Sequence, residues 1–346
     1  MPPSPKDEID FLVKLQRLLA EGSFVASYKF ALLLALADLS IERGDDSGAT
    51  LDIATADIAE KFIQYYWRQV LPYPCPTKPR VLQQNTGKQA AIVNAVRVAH
   101  AAYSGSLANA MRDKAMWGRL VRKVAAVVAV MPLWKLQTVG RIPLAFLYAN
   151  TGNHHEIELK TGVAYCFRKF HALIGDMVRG AWLRFVRQQN LAVLGETTDL
   201  NEFLFGSERN NLAVVRPVLM DIQRGRCFYC GGGITGPRAH LDHFIAWSRY
   251  PTDLAHNFVL ADSRCNNKKR DRLPACEHLS AWTERNATYG SQLADKLEVR
   301  GVVAELAASI RVAQWAYGLT EAAHGLTWLK ADEMVPLNRA WRHLLA

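Results

Sequence analysis

Apolar residues recur through the first two-thirds of the chain at helical spacing. Phe11, Leu12, Leu15, Leu18 and Leu19 share one face of a segment, predicting a helix over 11–20. A second, more uniformly apolar helix is predicted over 27–41, ended by the polar turn 43–48. An amphipathic third is predicted over 53–70, before the proline-rich turn 72–79. The same periodicity predicts helices over 89–103 and 107–130, short strands over 132–137 and 155–159, and a long helix over 161–189 with Arg168, Lys169, Arg179, Arg184 and Arg187 along one side. Residues 196–211 are polar and turn-rich and form the expected domain boundary. A helix over 212–224 then leads into a small mixed segment, 224–275, and helices are expected from 278 to the end, with Trp282, Trp315, Trp328 and Trp341 as packing anchors. The expected fold is mainly α: a helical N-terminal domain (1–205), a small module (212–280) and C-terminal helices (281–346).

Composition adds little to this picture, but charge and cysteine content add more. The chain has 346 residues, 50% hydrophobic and 21% charged, which is enough apolar material for a sizeable core. The net charge of +10 favours a polyanionic partner, nucleic acid or an anionic membrane. The longest apolar runs, 30–36 and 124–134, fall short of the roughly 20 residues that cross a bilayer, so no membrane role is expected. No secretory signal pattern is visible near Met1, and six cysteines in this length do not make a disulfide scaffold, so a cytoplasmic protein is expected.

The cysteines that stand out are Cys227 and Cys230, two residues apart and followed by Gly231, Gly232 and Gly233. Both thiolates can bind one tetrahedral Zn²⁺ from a tight turn, which glycines permit. A redox pair or two unrelated thiols are the alternatives, and the glycine-rich turn argues against a thioredoxin-type site, which opens a helix. Cys265 lies far enough downstream to close a zinc site after a hairpin. Asp262, three residues before it, is the expected fourth ligand, with His240 and Cys276 as rivals. Between the cysteines stands Asp242-His243, either a surface pair or a general base beside a metal ligand. Neighbours in a regular strand face opposite ways, so both can serve one site only where the strand ends or twists.

Asn257 follows His243 by fourteen residues and Asn266 follows by nine more. This ladder resembles the HNH endonucleases. The family pattern reads here as Asp242-His243-Phe244-Ile245-Ala246-Trp247-Ser248, then Asn257-Phe258-Val259-Leu260, then Cys265-Asn266-Asn267-Lys268-Lys269, with Ala246 where a proline is usual. The resemblance covers about residues 224–280. It implies a ββα-metal finger clipped by zinc, with His243 as general base, Asp242 and Asn266 holding Mg²⁺ (or Mn²⁺), and Asn257 bracing the loop that carries His243. Asn266 would open the last helix, and Lys268, Lys269 and Arg270 beside it would contact phosphates of DNA, with RNA also admissible.

The expectation is therefore a metal-dependent endonuclease. It could act as an anti-phage defence effector with partner proteins from the same operon, like some bacterial HNH proteins with a helical N-terminal region. The alternative is a zinc-stabilised nucleic-acid-binding module without catalysis. Other signals are discounted. Residues 83–89 lack the first glycine and the hydroxyl of a phosphate loop. His154-His155 reads as a polar loop, Cys75 and Cys166 as plain thiols, and Tyr65-Tyr66-Trp67 as a packing edge.

Overall fold

The computed structural model describes residues 1–74, 79–140, 142–150, 152, 155–194, 199–206 and 209–346. Cys75, His154 and, of the expected boundary 196–211, residues 196–198, 207 and 208 lie outside them. Among the described residues the fold is mainly α, 56% helical, with fourteen α-helices and only two-stranded sheets. The chain divides into two compact units, Met1–Gly206 and Ser207–Ala346.

In the first unit, α1 (Pro5–Glu21) starts where Ser4 and Asp7 cap each other reciprocally, and buries Phe11, Leu15 and Leu18 at helical spacing. The central element is α2 (Tyr28–Arg43). It is apolar nearly all round and accordingly buried nearly all round, Leu32 and Leu33 completely. Against it pack α3 (Thr55–Gln69), α7 (Val163–Lys169) and α8 (His171–Gln189). Trp182 of α8 sits fully buried at the centre, its indole N–H donating to Gln84 Oε1 at 3.0 Å, and Gln84 in turn donates to Gln69 at 2.7 Å. Arg168 is buried with its guanidinium on the carbonyls of Ser40, Ile41 and Gly44, so it closes the C-terminus of α2. A strand, β1 (Leu51–Ala54), pairs antiparallel with β6 (Glu156–Leu159). The expected helix over 53–70 therefore begins only at Thr55.

The expected helix over 107–130 is two, α5 (Leu107–Arg112) and α6 (Lys114–Val128). Asp113 leaves helical geometry between them and accepts the Met116 N–H at 3.0 Å to cap the second. The long helix over 161–189 likewise breaks at Phe170, between α7 and α8. Residues 132–136 form a turn on the Pro132 carbonyl instead of the expected strand. A short strand pair follows it, β4 (Thr138–Val139) and β5 (Ile142–Pro143), with Gly140 between them at φ +58°. The short β2 (Pro72–Tyr73) and β3 (Arg80–Val81), α4 (Ala91–Ala102) and α9 (Leu200–Phe205) complete the unit.

The second unit opens with α10 (Arg209–Ile222). The hairpin β7 (Ala239–His243) and β8 (Phe258–Asp262) follows, then the short α11 (Ser263–Lys269), α12 (Cys276–Glu298) and α13 (Leu306–Ala322). Val215, Leu219 and Ile222 of α10, Phe258 and Leu260 of β8, and Leu293 and Leu297 of α12 share one core. Because α12 runs through residue 280, the expected module and the C-terminal helices fold as one unit. The chain does not stay helical to its end: β9 (Leu326–Lys330) and β10 (Glu333–Pro336) form a hairpin ahead of α14 (Trp341–Leu344). Trp328, expected on a helix, is buried in β9, stacked near His278 and edge-on to Tyr229.

Candidate functional site

The cysteine turn forms because Arg224 (φ +52°) and Gly225 (φ +66°) reverse the chain after α10. Cys227 N–H then donates to Gly232 O at 2.8 Å, and Gly231 N–H, at φ +68°, returns to Cys227 O at 2.9 Å. Phe228 N–H donates to Leu260 O, tying the turn to β8. The Gln223 amide reinforces the tie, bonding to Arg226 O and to both Leu260 N–H and O at 2.8–2.9 Å. This folding brings Cys265, in the first turn of α11, to Cys227 and Cys230, with the three sulfurs within 4.8 Å of one another. Tetrahedral Zn–S bonds of about 2.3 Å place sulfurs roughly 3.8 Å apart, so the cluster is of the right size. Burial pushes the Cys265 thiol up, and the adjacent Cys227 and Cys230 sulfurs push it further. Cys230 moves the other way: burial opposes its ionisation, but hydrogen bonds from Gly232 N–H and from the Cys227 and Cys265 thiols outweigh it and lower the thiol. Three sulfurs this close form a donor set that could hold a metal ion, whose binding would require them as thiolates.

The fourth donor that a zinc site would need is not where the spacing places it. Asp262 is outside the sulfur cluster. Its carboxylate accepts the Arg264 N–H at 2.9 Å and N-caps α11, while its own N–H donates to Cys227 Sγ at 3.2 Å. A short carboxylate that ends a strand and begins a helix is better placed to cap than to reach back to the sulfurs. The rivals are also elsewhere: His240 Nδ1 lies 3.4 Å from Asn266 Nδ2, and Cys276 Sγ approaches Asn338 O.

The hairpin pairs Asp242 with Val259 and His243 with Phe258. The strand is regular to its last residue, so Asp242 and His243 face opposite sides. His240 and Asp242, two apart, lie on one face and meet Asn266 and Lys269, three apart on α11: strand and helix periods match across the contact. Lys269 is completely buried, its ammonium 3.0 Å from Asp242 Oδ2 and 2.8 Å from His243 O. Tyr229 OH donates to Asp242 Oδ2 at 2.5 Å. Burial raises the Tyr229 phenol and lowers the Lys269 ammonium, and Asp242 opposes the second shift.

Two expectations are corrected by this arrangement. Lys269 shares the face of Asn266 as expected, but that face points inward, so it cannot contact a phosphate. Asp242 is engaged by an ammonium and a phenol, and does not pair with Asn266 as a Mg²⁺ ligand. The side chain that does meet Asn266 is His240. Lys268 is exposed and pairs with Asp332 at 2.8 Å, and Arg270 is exposed at the end of α11.

On the other face, His243 Nε2 lies 2.8 Å from Asp253 Oδ1, and the imidazole packs against Trp247 and Phe258. Its Nδ1 has no partner among the described residues. Asn257 clasps the chain just after His243. Its carboxamide accepts Ile245 N–H at 2.8 Å and donates to Ile245 O at 2.9 Å, while its backbone carbonyl accepts Phe244 N–H at 2.7 Å. Asn257 is itself held from α12. The buried Arg285 guanidinium donates to Phe258 O at 2.5 Å, His256 O at 2.6 Å and Asn286 Oδ1 at 2.7 Å, and Trp282 Nε1 donates to His256 O at 2.9 Å. No carboxylate neutralises Arg285 among the described residues, and burial pulls its pKa down to about 9. Asp253, Tyr229, Gln223 and Arg285 carry no mark in the sequence. Each lies outside any spacing rule and acquires its role only when the loop, the turn and α12 close on the hairpin.

Fold and site together define a mainly α protein whose second unit carries a cysteine-clipped hairpin and helix. The family model described as Domain of unknown function (DUF8808) matches residues 8–199, more than half of the chain, and the chain belongs to that family. The match lies within the first unit, apart from the hairpin. No curated protein and no solved structure matches the chain.

Proposed function

We propose that the protein is a metal-dependent endonuclease of the HNH kind acting on phosphodiester bonds of DNA, with its chemistry in the second unit. The observation that carries the proposal is the His243 imidazole, oriented by the Asp253 carboxylate at 2.8 Å and fixed at a strand end by the Asn257 clasp. A carboxylate on Nε2 holds the tautomer that leaves Nδ1 with a lone pair, which is what a general base toward water needs. Zinc on Cys227, Cys230 and Cys265 serves to hold the turn, β8 and α11 together. A divalent ion, when bound, would polarise the scissile phosphate and steady the leaving oxygen. With Asp242 engaged by Lys269, the side chains that could hold it are His240 and Asn266. A nitrogen and oxygen pair of this kind suits Mn²⁺ better than Mg²⁺. Lys268 of α11 and Arg270 just after it are exposed cations that can meet a phosphate, and anti-phage defence is the setting in which such an effector fits.

The test is cleavage of supercoiled plasmid with Mn²⁺, Mg²⁺ or EDTA. Wild type should cut with Mn²⁺, and His243→Ala should lose about 10²–10⁴-fold. Full cleavage by His243→Ala with its fold intact refutes the assignment. The Asp242–Lys269 pair favours a second reading, a zinc-stabilised nucleic-acid binder without catalysis, because it withdraws the expected carboxylate ligand. That reading predicts DNA binding without cutting under every metal.

A further inference from the structure

One long stretch of the first unit holds a single carboxylate. Between Glu60 and Glu156, Asp113 is the only acidic residue, against thirteen Lys and Arg. This stretch, at net +12, exceeds the +10 of the whole chain, so the remainder is close to neutral. Asp113 is itself spent, one oxygen capping α6 and the other accepting the Tyr103 hydroxyl at 2.7 Å. Nine of the thirteen cations are exposed, and none of the nine has an ion-pair partner among the described residues. They include Arg97 on α4, Arg119, Arg122 and Lys123 on α6, and Lys135 just beyond it.

On α6, Trp117, Leu120, Val121, Val124 and Val128 face the core, so Arg119, Arg122 and Lys123 cluster on the opposite, solvent side. Beyond the end of the helix, Trp134 is 50% exposed beside Lys135. Lys135 also stands close enough to Lys29 that burial and this like charge together lower the Lys29 ammonium. Asp113 offers Arg119 some attraction but no ion pair, and cations held together without ion-pair partners repel, a cost that a bound polyanion relieves. The pattern discriminates among polyanions. An anionic membrane binds helices that present an apolar face, and the apolar face of α6 is already used by the core. Cations at successive helix turns, five of the nine exposed ones arginine, suit a ladder of phosphates, and the exposed Trp134 next to Lys135 offers a stacking platform.

We propose that the outer face of α6, through Arg119, Arg122 and Lys123 and on to Lys135 and Trp134, is a docking surface for the phosphate backbone of nucleic acid. The inference takes its ligand class from the function proposed above but does not depend on cleavage.

The test uses the full chain in EDTA with a fluorescein-labelled 20-base-pair DNA duplex, and reads the dissociation constant by anisotropy across a salt series. In Arg119→Gln/Arg122→Gln/Lys123→Gln, Kd should rise at least about tenfold and the slope of log K against log salt should shrink by about 3, one per lost phosphate contact. Lys268→Gln/Arg270→Gln is the parallel variant in the second unit, and circular dichroism checks both folds. Unchanged affinity and slope in the α6 variant overturn the docking surface, as does loss confined to the second-unit variant. Either result leaves the nuclease proposal standing. Wild-type binding to phosphatidylserine vesicles but not to the duplex also overturns it, in favour of a membrane surface. Plasmid cleavage by His243→Ala would remove the catalytic assignment while leaving this surface intact.

Discussion

Replacing Lys269 by Met removes one half of a buried ion pair while keeping most of the side-chain volume. The ammonium lies 3.0 Å from Asp242 Oδ2. At an effective dielectric of about 20 this separation corresponds to roughly 5 kcal/mol of attraction. The His243 carbonyl, accepting at 2.8 Å, loses its donor as well. What remains is a buried carboxylate held only by the Tyr229 hydroxyl. Breaking a buried pair in this way costs about 3–5 kcal/mol. For a unit of this size that corresponds to a drop of about 10–20 °C in melting temperature. The assay is urea unfolding of the full chain followed by tryptophan fluorescence, since Trp282 and Trp328 are buried in the same unit. Asp242→Asn/Lys269→Met should recover most of the loss, because no charge is then buried and the amide oxygen still accepts from Tyr229. A cost below about 1 kcal/mol for Lys269→Met would refute the reasoning. It would mean that Asp242 is not committed to this partner and is free to bind a metal.

Further outcomes follow from the same geometry. Purified protein should carry one zinc per chain, lost in Cys227→Ser and in Cys265→Ser. Asp262→Ala should keep the zinc and cost only about 1 kcal/mol of helix capping; loss of zinc in that variant would restore Asp262 as a ligand. Arg285→Met should destabilise the second unit by about 3 kcal/mol and abolish any cleavage, because the backbone at His256 and Phe258 that carries Asn257 loses its donors; wild-type behaviour would mean that α12 does not hold the clasp. His256 and His278 are both buried with pKa values lowered chiefly by burial. Each binds a proton less readily folded than unfolded, so stability is full above about pH 6.5 and falls as pH drops below it, by up to about 1.4 kcal/mol per pH unit for each. The urea midpoint should decrease from pH 7.5 to 5.5, and His256→Gln should flatten the decrease; a midpoint that rises on acidification contradicts this.

Helical periodicity alone was enough for the mainly α fold and for most helices. An apolar stripe such as Phe11, Leu15 and Leu18 has one low-energy use, burial on one side of a helix. The strand at 156–159 was legible for the same reason, by its alternation. The breaks at Asp113 and Phe170 and the hairpin around Trp328 were not, because a cap or a turn competes with helix continuation by margins that neighbouring packing decides. In the site, the three cysteines could be read from spacing, since a CxxC turn is local chemistry, and the place of Asn257 from the resemblance to the HNH endonucleases.

Where charged side chains go is not local. Sequence placed Asp242, Asn266 and Lys269 near one another, but only the packing of α11 on β7 decided that Lys269 points inward and takes Asp242. The same packing leaves His240 beside Asn266. Asp253 reaches His243 because the loop between them folds back, and Arg285 reaches the backbone around Asn257 because α12 crosses behind the hairpin. A buried charge is satisfied by whatever partner the tertiary fold brings within about 3 Å, and sequence spacing carries no information about that distance.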